Sequence, residues 1–432
     1  MVRKYSFRSK KEDKVLRSPT PLKGSKDADL RRLAFQVIIA FGIVSLLGDM
    51  LYEGARSVNG PYLQTLGANA IAVGVIAGIG EFLGYGIRLL SGYLSDKGRS
   101  YWLFTFVGYG LLAAVPMLAL TGIWQVAGMF IVIERFGKAL RSPAKDTILS
   151  RATKRVGTGF GFGLHEAMDQ IGAFAGPMVF TVLFLVLGGG TRSSGDYRLG
   201  YALLIVPFLF LIMSLFYAHR KVPDPDILEA AEPGKKGQDG LSKIFWLYVV
   251  FVFVTTLGFV SFALMGFHFK ETGLVPDAQI PLFYGLGMAV DAGVALIVGK
   301  AYDKLKERGN SRSGLLTLVT APAISVLIPV LAFAGNYYAA LLSMLIWGVV
   351  MGIHETVMRS AIADLTPLRK RGTGYGLLNT SYGLAFFIGG ALMGLLYEWS
   401  IWVLMVFAVL VQLISFPVFL MMRREASRVD GV

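Results

Sequence analysis

The sequence contains no cysteine, which excludes a disulfide framework, a thiolate zinc site, an iron–sulfur cluster and a cysteine nucleophile. Charge is scarce as well: 16% of the 432 residues are charged against 54% hydrophobic, a balance that would not keep a soluble globule of this length dissolved. No Gly-x-x-x-x-Gly-Lys-Ser/Thr phosphate loop occurs, so the chain has no loop of the kind that cradles ATP for hydrolysis. The first 32 residues lack the apolar core of a signal peptide. They are polar and basic, with Arg3, Lys4, Arg8, Lys10, Lys11, Lys14, Arg17, Lys23, Lys26, Arg31 and Arg32, and read as a cytosolic tail, either a solvated, disordered arm or one attracted to anionic lipid headgroups.

What the sequence has instead is a succession of apolar runs. A helix needs about 20 mostly apolar residues to cross a hydrocarbon layer of about 30 Å. Such runs fall near 33–60, 70–94, 101–121, 123–144, 157–188 and 199–218, then near 243–269, 278–302, 314–334, 337–364, 373–397 and 400–421. The stretch from Arg220 to Gly237 is too polar and too rich in Pro and Gly to stay in a membrane, and it divides the chain six plus six. The expected organisation is a basic tail (1–32), a six-helix bundle (33–218), a cytoplasmic linker (219–242), a second six-helix bundle (243–421) and a short C-terminal tail (422–432). The fold class is therefore an all-α membrane protein with twelve transmembrane helices in two pseudo-symmetric six-helix bundles.

The net charge of +14 is distributed by side rather than suited to nucleic acid. Loops on one side carry only Arg192, Arg198 and Lys270. Loops and helix ends on the other side carry Lys97, Arg99, Arg141, Lys145, Arg151, Lys154, Arg155, Lys300, Lys304, Lys306, Arg308, Arg312, Arg359, Arg369, Lys370, Arg371, Arg423, Arg424 and Arg428. Retention of positive charge in the cytoplasm predicts that both termini face it, in a plasma or inner cell membrane.

The halves repeat one another. Gly92-Tyr93-Leu94-Ser95-Asp96-Lys97 recurs as Gly299-Lys300-Ala301-Tyr302-Asp303-Lys304. Arg141-Ser142 with Asp146 recurs as Arg359-Ser360 with Asp364, and Gly157-Thr158-Gly159-Phe160-Gly161 as Gly372-Thr373-Gly374-Tyr375-Gly376. Two repeated six-helix halves are how transporters build a midplane site at their interface.

At these residues the chain resembles the major facilitator superfamily from its first helix to its last. Gly92, Leu94, Ser95, Asp96, Lys97, Gly98 and Arg99 match that family's motif between helices 2 and 3, with Ser100 at its final basic position. Arg135 matches the arginine of its helix 4 motif, where Ala139 replaces a glycine. Gly172, Gly176 and Pro177 match the first half of its antiporter motif, whose closing glycines are replaced by Phe180 and Thr181. The resemblance implies alternating access by two rocking bundles, with these residues in gating. Asp96 at the end of helix 2 can receive hydrogen bonds from the exposed amides that open helix 11 at Gly372-Thr373-Gly374. Asp303 can do the same against the opening of helix 5 at Gly157, with Lys304 beside it among the gating residues.

A lone charge at the bilayer centre costs from about 2.5 to over 10 kcal/mol, so ionisable groups inside the apolar runs demand a reason. Helix 1 carries Asp49, Glu53 and Arg56 on one face, and helix 2 carries Glu81 and Arg88 two turns apart. Helix 4 carries Glu134, Arg135, Lys138 and Arg141. Helix 5 adds His165, Glu166 and Asp169, and helices 8 and 10 add Asp291, His354 and Glu355. Ion pairs that hold helices in register are one explanation. Several buried pairs are usually less favourable than apolar packing, so the set points to a water-filled cavity. The expectation is a proton-titratable cluster of Asp49, Glu53, Glu134 and Asp169 around Arg56 and Arg135, with the two histidines suited to proton handling. His165-Glu166 and His354-Glu355 lack the second histidine four residues on, where Asp169 and Met358 stand, so they do not make a zinc hydrolase.

The sequence thus predicts a secondary active transporter and not an enzyme, with proton-coupled export favoured. Alternatives are proton-coupled uptake of an organic anion or nutrient, in which Arg56, Arg135 and Lys138 bind a carboxylate or phosphate, and a non-transporting receptor on the same scaffold. The expected partners are a small-molecule solute, protons and the lipid bilayer, with no nucleic acid, no cofactor, no metal and a monomeric working unit.

Overall fold

A computed structural model describes residues 23–156, 158–188, 190–228, 241–308, 317–366 and 371–429. The polar stretch 229–240, Gly157 and most of the basic tail lie outside these residues, as does the side chain of Asp303. Among the described residues the chain forms twelve helical passes: α1 (Lys23–Thr65), α2 (Ala70–Gly98), α3 (Tyr101–Leu120), α4 (Trp124–Val156), α5 (Thr158–Val186), α6 (Ser194–Lys221), α7 (Lys243–Glu271), α8 (Gln279–Arg308), α9 (Thr317–Ala332), α10 (Tyr337–Leu365), α11 (Arg371–Trp399) and α12 (Ile401–Val429). Ten of them are long and apolar enough to cross a membrane by that measure alone. The exceptions have physical causes: α4 is interrupted by Glu134, Arg135, Lys138 and Arg141, and α9 is short.

Most helices outrun the apolar segments that predict them. The helix α1 begins at Lys23, about three turns before the apolar run. α4 continues to Val156, past the expected end near 144, so Lys145 and Asp146 are helical wall residues and not loop residues. In α7 the helix stops at Leu257 and resumes at Phe262, and the four residues between are not helical. Non-helical backbone at membrane depth is tolerated where it is buried in protein or lines a cavity.

The two halves pack by the same plan, as the repeat predicts. In the first half α1 lies on α5 and α6, and α2 on α4; in the second, α7 lies on α11 and α12, and α8 on α10. Lipid supplies no hydrophobic drive between helices, so close approach of small residues carries much of the packing. A Cβ at Gly172 would stand 2.1 Å from the Leu46 carbonyl oxygen and one at Gly176 2.3 Å from that of Met50, so only glycine lets α5 reach α1. The halves meet through α2 on α11 and α5 on α8, which are equivalent pairs under the repeat, and through α1 on α7. At Gly74 a Cβ would lie 2.2 Å from the Gly390 carbonyl oxygen, and at Gly60 2.1 Å from that of Ala263.

The end of the molecule remote from the termini is closed. There Gln64 donates to Glu271 at 2.5 Å and the Ala70 amide to Glu398 at 2.7 Å, each joining the two halves. Buried Asp277, between α7 and α8, accepts from the Lys270 ammonium and from the backbone amide of Arg192, between α5 and α6. Lys270 also donates to the Arg192 carbonyl at 3.2 Å. The end that carries the termini is open, and the candidate site lies inside it.

Candidate functional site

A cavity of about 920 Å³ opens between the halves at the end bearing the termini. Most of its wall comes from α1, α2, α4 and α5 of the first half. The amphipathic faces of these helices turn inward because their charged residues recur at intervals of three and four. The cavity wall includes Asp49, Glu53, Arg56, Arg88, Lys138, His165, Glu166 and Asp169 of the sequence-derived set, with Glu355 from the second half.

Six charged side chains alternate in one ladder that begins in this wall and runs behind it. The Tyr284 hydroxyl of α8 donates to Glu53 across the interface between the halves. Glu53 lies 3.6 Å from Arg56, and Arg56 donates to Glu81 at 2.7 Å. Glu81 is 3.7 Å from Arg135, Arg135 is 3.3 Å from Glu134, and Glu134 is 3.7 Å from Arg141. Three carboxylates therefore face three guanidinium groups, and the net charge of the ladder is zero. Helix 2's Glu81 is thus joined to α1 and α4 rather than to Arg88, the other charge on its own face.

Two cations of the cavity wall stand apart from the ladder. The Lys138 ammonium lies 4.0 Å from the centre of the Tyr52 ring, and the Arg88 guanidinium 4.5 Å from that of Tyr85. Arg88 also donates to the Gly84 carbonyl at 2.8 Å. Neither forms an ion pair with a carboxylate among the described residues. Lys138 and Arg88 are within electrostatic range of each other.

A second group surrounds α5. His165 Nδ1 is 3.3 Å from Asp169, and its Nε2 is 3.3 Å from Lys145 Nζ, which also reaches Ser45 at 3.4 Å. Asp49 lies within electrostatic range of Asp169, Glu53, Lys138 and Lys145. Glu166 is exposed at the cavity wall and accepts from Gln170 at 3.3 Å. The expected single cluster of Asp49, Glu53, Glu134 and Asp169 is in fact two: Glu53 and Glu134 belong to the ladder, while Asp49 and Asp169 sit with Lys145 and His165. Glu134 is buried and reaches the cavity only through its arginine partners.

Other expected residues fall elsewhere. Asp291 is buried in the second half, packed 3.1 Å from the position a Cβ on Gly352 would take, and is not brought to either group. His354 is buried against Phe259 and Tyr382 and lines a side cavity of about 580 Å³ between α2 and α11. Asp96 faces the same side cavity, opposite Tyr375 and Gly376. Asp96 is exposed, and its carboxylate makes no hydrogen bond or ion pair among the described residues, so the expected latch onto α11 is not made in this arrangement. Gly92 packs on Pro143, Lys97 lies over Tyr93, Gly98 is exposed, and Arg99 closes α2 with φ 47° in the left-handed region. Lys304 is exposed. Gly172 and Gly176 serve packing within the first half, and Pro177 touches the second half at Gly285.

Sequence reasoning missed Lys145, Tyr284 and the Arg192–Lys270–Asp277 network. Only Lys145, four residues after Arg141, carried a signal, the continued helical spacing of charge. Among the described residues no three His, Asp or Glu side chains converge to hold a metal ion.

The sequence matches the family model of the Major Facilitator Superfamily over residues 33–390 and 323–431. The chain belongs to the major facilitator superfamily. An uncharacterised protein of Mycobacterium tuberculosis is 38% identical over 388 residues, 88% of this chain and 91% of its own. An uncharacterised transporter of this superfamily from Methanocaldococcus jannaschii is 24% identical over 84% of this chain and 88% of its own. Among solved structures, a peptide transporter of the POT family superimposes with TM-score 0.69 at 15% identity over 93% of this chain and 98% of its own. A bacterial homologue of the human lysosomal transporter Spinster, inward-facing and unoccupied, superimposes with TM-score 0.65 at 15% identity over 91% of this chain and 97% of its own. Superfamily membership makes the chain a multi-pass membrane protein of a secondary transporter family, and not an enzyme.

Proposed function

We propose that this superfamily member carries a small hydrophilic organic anion, bearing a carboxylate or phosphate, across the cell membrane together with protons. The observation that carries this reading is the placement of Lys138 and Arg88 in the cavity wall, on tyrosine rings rather than on carboxylates. A cation already satisfied by a carboxylate gains little from a second anion. One held over a ring keeps most of its charge available for a solute anion.

The titratable group beside these cations couples the solute to the proton. Asp49 and Glu53 both act electrostatically on Lys138. When Asp49 holds a proton, one of the two negative charges that compete for Lys138 disappears, and an incoming anion is attracted more strongly. Linkage is reciprocal, so proton and anion each favour the other's binding. This mutual reinforcement is the signature of symport. It supports co-movement over the proton-for-solute exchange favoured from sequence, in which the two must compete.

With the basic helix ends placed in the cytoplasm, the present arrangement is inward-facing. The cavity then delivers its solute to the cytoplasm, and the outward-facing state requires the Asp277 network to part.

The experiment is flux in proteoliposomes, using carboxylates and phosphate monoesters that do not cross protein-free liposomes. An inward proton gradient is expected to drive accumulation, and Lys138→Gln to reduce it at least about ten-fold, as loss of a charge-assisted contact worth about 1.5–3 kcal/mol implies. Flux indifferent to the gradient, and unchanged in Asp49→Asn and Lys138→Gln, would overturn the proposal.

A further inference from the structure

Beyond the vestibule lies a second, smaller space. A chamber of about 50 Å³ sits between the halves on the far side of Arg56, whose side chain borders both spaces. One wall is the charged ladder, with Arg56, Glu81 and Arg135. The facing wall is aromatic, with Phe259, Phe262 and Trp347. Phe259 stacks on Trp347 at 6.0 Å with 22° between the ring planes, and Phe262 meets Trp347 at 6.4 Å and 60°.

Two features at this chamber are unusual for a packed interior. Trp347 is 1% exposed, and its indole N–H has no hydrogen-bond acceptor among the described residues. A buried donor left without an acceptor is unfavourable, and native interiors rarely keep one without a role. The helix α7 is also unwound at residues 258–261, and two of these, Phe259 and Ser261, line the chamber. A continuous helix would satisfy its own backbone there, and an unwound stretch at membrane depth belongs beside a cavity.

Size limits what enters. At about 10–15 Å³ of such volume per water, the chamber has room for about four waters, or about 120 Å³ of liquid, close to one small ring. The aromatic wall offers stacked and edge contacts to a flat ring. The charged wall is internally neutralised and does not call for a further ion, so the anionic group stays on the vestibule side, with Lys138 and Arg88.

Resting on the transport of an organic anion argued above, we propose that the chamber receives the planar ring of the solute, and that an oxygen carried by that ring accepts the Trp347 N–H. The substrate class is therefore small aromatic or heteroaromatic carboxylates with a ring-borne acceptor, rather than aliphatic acids.

The test is isothermal titration of the purified full-length protein with 4-hydroxybenzoate, benzoate and succinate. The expected order places 4-hydroxybenzoate first and succinate at least about ten-fold weaker. Trp347→Phe keeps a ring but deletes the donor, and is expected to weaken 4-hydroxybenzoate about five- to ten-fold more than it weakens benzoate. If that variant fails to fold, Phe259→Leu is the second probe, expected to weaken both aromatic acids about five-fold and succinate not at all. Succinate binding as tightly as the aromatic acids, or aromatic affinities unmoved by both variants, overturns the ring assignment. So does absence of binding by all three acids. The transport reading falls separately, only when the proteoliposome flux also fails.

Discussion

Glu81→Gln tests whether the charge ladder is a connected element of the fold. The substitution keeps the side chain's shape and removes one charge from between Arg56, at 2.7 Å, and Arg135, at 3.7 Å. Breaking a buried ion pair by removing one partner costs about 3–5 kcal/mol because the other charge is left uncompensated. Here each arginine retains a second carboxylate, Glu53 at 3.6 Å and Glu134 at 3.3 Å, and the Arg56 side chain keeps 20% exposure to the cavity. The loss is therefore expected below that range, at about 2–3 kcal/mol. Unfolding in mixed micelles, followed by far-ultraviolet circular dichroism as the denaturing detergent fraction rises, measures it. The double variant Arg56→Gln/Glu81→Gln removes both partners. It is expected to be more stable than the sum of the single losses implies, by about 1–2 kcal/mol, since residues in one network do not add. A single loss under about 0.5 kcal/mol, or strict additivity, would refute the ladder as a coupled structure.

Other substitutions separate closure from packing. Gly390→Leu places a side chain where the backbones of α2 and α11 touch, with a Cβ 2.9 Å from the Gly74 carbonyl oxygen; it is expected to abolish flux while a single monodisperse peak on size exclusion persists. Gly172→Leu strikes within the first half, where α5 reaches α1, and is expected to cut the yield of folded protein itself, measured by the same chromatography. Asp277→Asn removes the charge that Lys270 and the Arg192 amide share; labelling of Leu63→Cys from the side opposite the termini is expected to rise at least about five-fold. Tyr284→Phe deletes the hydroxyl that joins Glu53 to the second half; the rate of solute movement is expected to change while the affinity of the vestibule for solute stays within about two-fold.

Helix number and the six-plus-six repeat were legible because the bilayer forces every span to be long, apolar and internally hydrogen-bonded. Charge on α1, α2, α4 and α5 pointed to a polar cavity, and residues of these four helices line the vestibule. Pairing was not legible: Glu81 shares a helical face with Arg88 in sequence, yet its partners come from α1 and α4, since helix rotation is set by packing at glycines such as Gly80, where a Cβ would lie 3.0 Å from the Arg135 side chain. Lys145 was hidden for a related reason. Hydropathy falls where a helix begins to line water, so α4 reads as ended near 144 although it runs to Val156. The Tyr284–Glu53 bond joins residues 231 apart, and the Arg192–Lys270–Asp277 network sits in two loops and at the end of α7, where the few charges identified only a side of the membrane. No local pattern marks such contacts. Asp96 was read as a latch from its helix end, and the arrangement seen here, open at the terminal end, leaves it exposed.

The absence of cysteine makes one experiment unusually direct, because a single introduced thiol is the only one in the chain. Ser142→Cys and Gln170→Cys place thiols on the vestibule wall, and Leu63→Cys places one beside the closed end. A membrane-impermeant maleimide applied to vesicles of known sidedness should label the first two only from the face that carries the termini, and Leu63→Cys from neither face. Ser142→Cys and Gln170→Cys that resist the reagent from both faces, or Leu63→Cys that reacts readily from the opposite face, would contradict a water-filled vestibule sealed at its far end.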